Sequence, residues 1–227
     1  MNKGLFITAT GTDIGKTYVT ALIVKKLRAA GYRAGYYKAA LSGAERTGEG
    51  LIPGDAEYVN RIAGIGEEVK KLVSYTYENA VSPHLAAQIE GNPAELKVIR
   101  AAYEKLALKY DYLTMEGSGG ILCPIRYDDT IHIFLEDIIK ELRLSTIIIA
   151  DAGLGTINST VLTVEYMRNR DIQVKGIIFN HFHEDSLLEA DNRRMVEELT
   201  GIPVIALVKD NATELGMDAE ALAALYE

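Results

Sequence analysis

The chain has 227 residues, 48% of them apolar and 25% charged, with a net charge of −8 and a single cysteine. That length and composition suit one large α/β domain with its own core and exclude a disordered chain. The acidic balance argues against a nucleic-acid binder, and the lone Cys123 excludes an intrachain disulfide.

Short apolar runs alternate with helical patterns along the chain. Leu5–Thr8 reads as the first strand and is too brief for a secretory apolar region. Val19, Leu22, Ile23, Leu27 and Ala30 recur at helical spacing, and Gly31 follows as a stop. Arg33–Lys38 reads as the second strand. Ser82-Pro83-His84 reads as a loop. Asn92-Pro93 reads as a cap and first turn, with Leu96, Ile99, Tyr103 and Leu106 on one face of the helix that follows. Tyr112–Met115, Thr146–Ala150, Val174–Asn180 and Val204–Val208 complete the strands, and Thr156–Asn169 and Ser186–Thr200 the helices. Strands alternating with helices imply right-handed βαβ units and a mostly parallel sheet. No run approaches a membrane span, and Ile147-Ile148-Ile149-Ala150 is too short for one, so the expected compartment is the cytoplasm.

Ligands of such sheets lie beyond the carboxyl ends of the strands, and the chemically suggestive clusters all fall there. Ala9-Thr10-Gly11-Thr12-Asp13-Ile14-Gly15-Lys16-Thr17 follows a strand and opens a helix, the context of a phosphate loop. Unpartnered N–H groups at the helix start favour anions, Lys16 brings a mobile cation to the outer phosphates, and Thr17 offers a hydroxyl to Mg²⁺. The match is incomplete, because Thr10 stands where the strict pattern has glycine, and a tight turn ending in Gly-Lys-Thr is the plainer alternative. Asp13 is repelled by phosphate unless a metal or an amine substrate screens it, or unless it faces solvent. Lys38, ending the second strand, either neutralises a transferring phosphoryl group or is merely solvated. Asp55 reads as a helix cap. Glu116, before Gly117-Ser118-Gly119-Gly120, ends a buried strand where an unpaired charge is costly, and one ion held by Thr17, Asp55 and Glu116 accounts for all three. His181 and His183 are weak metal candidates and read as surface polar residues; Cys123 reads as a small apolar side chain.

Taken in order, these residues resemble the dethiobiotin synthetase family over nearly the whole chain. Thr10–Thr17 is similar to that family's modified phosphate loop, acidic at Asp13. Gly35–Ser42, Gly50-Leu51 leading to Asp55, Val81-Ser82-Pro83-His84, Glu116–Gly120 and Leu154-Gly155-Thr156-Ile157-Asn158 match in order and spacing. The resemblance implies a single P-loop NTPase-like α/β domain over residues 1–227, with a mostly parallel sheet flanked by helices on both faces. It implies ATP and Mg²⁺, with Thr17, Asp55 and Glu116 as metal ligands. It places nucleotide on Asp13, Ile14, Gly15, Lys16, Thr17, Tyr18, Asp55, Glu116, Gly117, Ser118, Gly119, Asn180, Val208, Lys209 and Asp210. Lys38, Lys16, Thr12 and Ser42 become catalytic, and Thr12, Ser42 and Asn158 bind substrate. The implied reaction carboxylates 7,8-diaminononanoate with CO₂ to a carbamate. The carbamate takes the γ-phosphoryl group of ATP to become a mixed anhydride, and the second amine closes the cyclic urea, releasing phosphate. It also implies a homodimer sharing the substrate site. Ala9, Ser159 and Lys209 depart from the family pattern, the last near the adenine.

Three rivals share the phosphate-loop lineage. A switch ATPase of the partitioning and positioning type usually carries an additional lysine early in the loop, absent here, and the C-terminal Asp218-Ala219-Glu220-Ala221 is acidic rather than a basic amphipathic tail. An amide-forming enzyme acting on a large cofactor precursor normally adds a glutaminase domain with a catalytic cysteine, for which the chain is too short. A degenerate nucleotide binder is disfavoured by intact Lys16, Thr17, Asp55 and Glu116.

Overall fold

Apolar runs that do not alternate suit strands covered on both faces, and β-branched and aromatic side chains fill those runs here. The structure, a computed structural model, describes residues 3–48 and 50–226. Of the single-domain span 1–227, only Met1, Asn2, Glu49 and Glu227 lie outside the described residues. In chain order the elements are β1 (Lys3–Ala9), α1 (Lys16–Ala29), β2 (Ala34–Leu41), β3 (Glu45–Thr47), β4 (Gly50–Ile52), α2 (Gly54–Ile62), β5 (Val73–Thr76), α3 (Pro83–Glu90), α4 (Leu96–Ala107), β6 (Tyr112–Glu116), β7 (Pro124–Tyr127), β8 (His132–Phe134), α5 (Leu135–Leu142), β9 (Ser145–Asp151), α6 (Thr156–Arg168), β10 (Val174–Asn180), α7 (Leu187–Thr200), β11 (Val204–Leu207) and α8 (Ala219–Ala223).

Seven strands form one parallel sheet in the order β11-β10-β9-β1-β6-β2-β5. Every residue of β2 and all of β9 but Asp151 are buried, so helices cover both faces. β1 lies centrally, between β6 and β9. Because all seven strands run the same way, their carboxyl ends open on one edge. That edge carries the loops Thr10–Gly15, Ser42–Ala44, Gly117–Gly120 and Ala152–Gly155, together with His181 and Val208. Register fixes the site's centre, since Lys38 on β2 and Ile7 on β1 both pair with Glu116 on β6. Two antiparallel hairpins, β3–β4 and β7–β8, stand apart from the main sheet.

The expected helices and strands are present with shifted ends. The helix expected over Ser186–Thr200 is α7, with Ser186 as its N-cap, the hydroxyl accepting from the Glu189 N–H. The segment Asn92-Pro93 does not open α4; Glu95 is the N-cap and the helix begins at Leu96. Ser82-Pro83-His84 is not a loop throughout, because Ser82 is the N-cap of α3 and Pro83 its first residue. Among the described residues no helix is long and apolar enough to cross a membrane.

Candidate active site

The phosphate loop bends through two left-handed positions, Asp13 at φ 60° and Gly15 at φ 82°. Gly15 is required twice over. Its conformation disfavours side chains, and a Cβ there would lie 2.2 Å from Asn180 Nδ2. Gly15 is also the N-cap of α1 and supplies no side-chain cap, and no acidic residue stands in the first turn. The helix start therefore offers its amides and partial positive charge to an external anion.

Beside this loop three side chains meet on one buried carboxylate. Lys38 Nζ donates to Glu116 Oε1 at 2.7 Å and to Asp55 Oδ2 at 2.6 Å. The Thr17 hydroxyl donates to the same Glu116 Oε1 at 2.8 Å, and the Tyr36 hydroxyl to Oε2 at 3.1 Å. Glu116 is 1% exposed, so these partners replace the water it has lost. Burial pulls the Lys38 ammonium down, but Glu116 and Asp55 outweigh burial and hold it above the ordinary lysine value. Burial likewise pushes the Asp55 carboxyl up, and Lys38, with help from Lys16 and Thr17, brings it below the usual carboxylate value. Lys16 behaves oppositely: burial lowers its ammonium, Lys38 adds to that, and Glu116 and Asp55 only partly resist. A cation so placed gains from an arriving anion.

Lys16, Thr17 and Lys38 line a cavity of about 730 Å³, together with Thr12, Asp13, Gly15, Tyr18, Leu41, Ser42, Asp55, Tyr58, Ser118 and Gly119. A smaller cavity of about 280 Å³ shares Gly15 and Tyr18 with it and is walled by Asn180, His181, Lys209, Asp210 and Asn211. One chamber rich in cations and hydroxyls thus joins a narrower one with a buried amide. That division suits a ligand with a polyanionic end and a hydrogen-bonding end.

Residues 3–214 match the family described as an AAA domain. The ATP-dependent dethiobiotin synthetase BioD of Brachyspira hyodysenteriae is 53% identical over 227 residues, covering 100% of both chains. That of Clostridium botulinum (strain Loch Maree / Type A3) is 49% identical over 227 residues, covering 100% of this chain and 99% of the relative. The chain belongs to the ATP-dependent dethiobiotin synthetase family. Its fold also resembles the MinC:MinD cell division protein complex of Aquifex aeolicus, with a TM-score of 0.57 over 92% of this chain and 82% of that one. At 14% identity that likeness concerns the fold alone.

For this member of the dethiobiotin synthetase family, the structure gathers most of the residues singled out by sequence. Thr12, Asp13, Lys16, Thr17, Lys38, Ser42 and Asp55 share one cavity, with Ser118 and Gly119. Asp55 is not a side-chain cap; Pro53 is the N-cap of α2, and Asp55 turns to Lys38. Ser118 donates its hydroxyl to the Ala40 carbonyl at 2.6 Å and so ties the loop after β6 to β2, while Gly117 N donates to the Ile7 carbonyl at 2.9 Å. Ile14 packs against the core, and its carbonyl accepts from Asn180. Val208 lines neither cavity: it is 1% exposed, its N–H donates to Phe179 and its carbonyl accepts from Phe182. Asn158 is exposed in the first turn of α6 and lines neither cavity. Lys209 is exposed and paired with Glu184 at 2.7 Å. Sequence reasoning missed Tyr36 and Tyr58, and read His181, which walls the smaller cavity, as a surface polar residue. Tyr36 stands two residues before Lys38, hence on the same side of β2, and that period of two was its only signal.

Proposed function

We propose that this chain is a cytoplasmic dethiobiotin synthetase. It joins 7,8-diaminononanoate and CO₂ at the expense of ATP, yielding dethiobiotin, ADP and phosphate. The observation that carries the reading is the convergence of Lys16, Lys38, Asp55 and Glu116 with the Thr12 and Ser42 hydroxyls beside one phosphate loop. Carbamate and ATP repel each other, so their approach needs fixed positive charge in a site already organised to hold it. Lys16 and Lys38 supply that charge, and their burial means little reorganisation is needed as charge shifts onto the phosphoryl oxygens. Thr12 and Ser42 hold the diamine and its carbamate by hydrogen bonds, and the exposed Asp13 carboxylate draws an ammonium toward the cavity mouth. Holding the amines, carbamate and γ-phosphate together turns costly encounters into local steps.

The donor set fits Mg²⁺. Asp55, Glu116 and the Thr17 hydroxyl are hard oxygen donors grouped where the Lys38 ammonium is the present counter-charge, and few protein ligands leave room for waters and phosphate oxygens. Held by Thr17, Asp55 and Glu116, the ion supplies charge neutralisation to the phosphoryl oxygens. Asn180 in the smaller cavity reads the base, with Lys209 and Asp210 at its rim. Asn158 lies off both cavities beside Leu154 and Leu162, which are 90% and 60% exposed. A carboxylate tail reaches that helix start in an isologous homodimer, where α6 of one protomer faces the cavity of the other.

The test is ADP release and cyclic-urea formation with 7,8-diaminononanoate, bicarbonate, ATP and Mg²⁺, omitting each in turn. The reading expects ring formation to cease with every omission. ADP release indifferent to the diamine would sink it, and a monomer fully active at nanomolar concentration would remove the shared site.

A further inference from the structure

The smaller cavity contains a hydrogen-bond chain with a fixed direction. Asn180 ends β10 and is 1% exposed. Its Nδ2 donates to the Ile14 carbonyl at 3.0 Å. A backbone carbonyl only accepts, so this contact favours the amide nitrogen on that side. The second Nδ2 hydrogen lies toward His181 Nε2, 3.1 Å away. Nε2 therefore accepts, the ring proton sits on Nδ1, and Asp151 Oδ2 takes it at 2.8 Å. The other Asp151 oxygen accepts from the Gly153 N–H at 2.7 Å, and Asp151 pairs in register with Asn180 across β9 and β10. His181 holds φ 56°, a conformation rare for residues other than glycine, and so keeps its ring between the two.

Both amide hydrogens of Asn180 are thereby used, and its Oδ1 is left buried without a partner. We propose that Asp151 and His181 are positioning residues that set base selectivity. By completing the lock on the Asn180 amide, they leave only an acceptor for the base, so the site takes 6-amino purines and rejects 6-oxo purines. The inference rests on the smaller cavity being the base site, as proposed above.

Adenine presents an N6 amino donor, and a 6-oxo purine presents an acceptor at the same place. The donor satisfies Oδ1. The acceptor meets another acceptor, and a buried group left unpaired is costly. A free asparagine would turn its amide over and serve either base. Here turning it would set Oδ1 against the Ile14 carbonyl and spoil the bond to His181. Asp151→Asn weakens the lock at its source. Its amide can donate to His181 Nδ1, moving the ring proton to Nε2, which then favours Oδ1 rather than Nδ2 of Asn180. His181→Asn removes the ring but keeps a residue that tolerates positive φ.

The experiment titrates the wild type, D151N and H181N with ADP, with IDP, and with inorganic triphosphate as a base-free control. The wild type is expected to prefer ADP over IDP by at least about tenfold, the worth of one well-placed hydrogen bond. In both variants that ratio should fall about tenfold, with triphosphate affinity within about twofold of wild type. A wild type without the preference, a variant that keeps the wild-type ratio, or triphosphate affinity that falls in step with ADP affinity would each overturn the proposal. Failure of base reading alone leaves triphosphate binding and ring formation intact. A wild type that binds neither triphosphate nor ADP overturns the proposed function as well.

Discussion

Replacing Lys38 by glutamine separates what the buried cluster does for the fold from what it does for the reaction. The ammonium lies between Glu116, whose side chain is 0% exposed, and Asp55, whose side chain is 40% exposed. Breaking a buried pair costs about 3–5 kcal/mol, because the remaining charge keeps its desolvation penalty. Glu116 sets that loss; the Asp55 share is small, since water screens a carboxylate so exposed. The glutamine amide returns one hydrogen bond of about 1 kcal/mol. The expected loss is therefore about 2–4 kcal/mol, within the usual total of about 5–15 kcal/mol, and the variant folds. Urea unfolding at pH 7 of the wild type, K38Q, E116Q and the double variant gives the coupling, expected at about 2 kcal/mol or more. Lys38 is raised, so its contribution is complete below the ordinary 10.5 and is lost as pH rises through its folded value. Asp55 is lowered, so its contribution is complete above the ordinary 3.8 and is lost as pH falls through its folded value. The penalty should thus be flat from about pH 5 to 9. In folded protein, kcat should drop by about 10² or more. An additive cycle, or a K38Q variant within about 0.5 kcal/mol of wild type, would refute the electrostatic reasoning. A near-normal kcat would remove Lys38 from the chemistry.

Other perturbations bear on the same site. Tyr36→Phe takes the only hydrogen-bond donor seen on Glu116 Oε2 among the described residues, and should cost about 1–3 kcal/mol in urea melts and lower kcat. Gly15→Ala should destabilise the fold by about 2 kcal/mol or more and weaken nucleotide binding by calorimetry, because its Cβ meets Asn180 and its φ is left-handed. Burial pushes the Cys123 thiol from 9.0 up to about 11. At pH 8 its alkylation should run about a hundredfold slower than in urea-unfolded chain, and equal rates would contradict that burial.

Much of the fold was legible because its strongest signals are local. A strand, a glycine-rich turn and a Lys-Thr helix start lie within residues 3–29 and were read together. The span Ser186–Thr200 read as a helix, and α7 follows the Ser186 cap. The losses came where tertiary partners override local preference. Asp55 has a capping residue's composition and position, but a buried lysine from β2 claims its carboxylate. Asn92-Pro93 has the form of a helix start, yet α4 begins at Leu96, after Glu95 takes the N-cap position. Edge strand β5 is four residues long and lies beyond a 3₁₀ turn at Val69–Leu72, too short for periodicity to reveal. In the site, charged residues at strand ends were visible, because charge at the end of an apolar run is conspicuous. The parts of Tyr36 and His181 were not, because they depend on register: Tyr36 reaches Glu116 across β2 and β6, and His181 reaches Asp151 from the end of β10 to β9.

The central claim is that the turn ending in Gly15-Lys16-Thr17 grips a triphosphate and aims its terminal group at Lys38. A crystal structure with a non-hydrolysable ATP analogue and Mg²⁺ tests it most directly. The account predicts phosphates on the amides of residues 12–17, metal on Thr17, Asp55 and Glu116, and the base against Asn180. An empty turn, with nucleotide bound elsewhere, would contradict it.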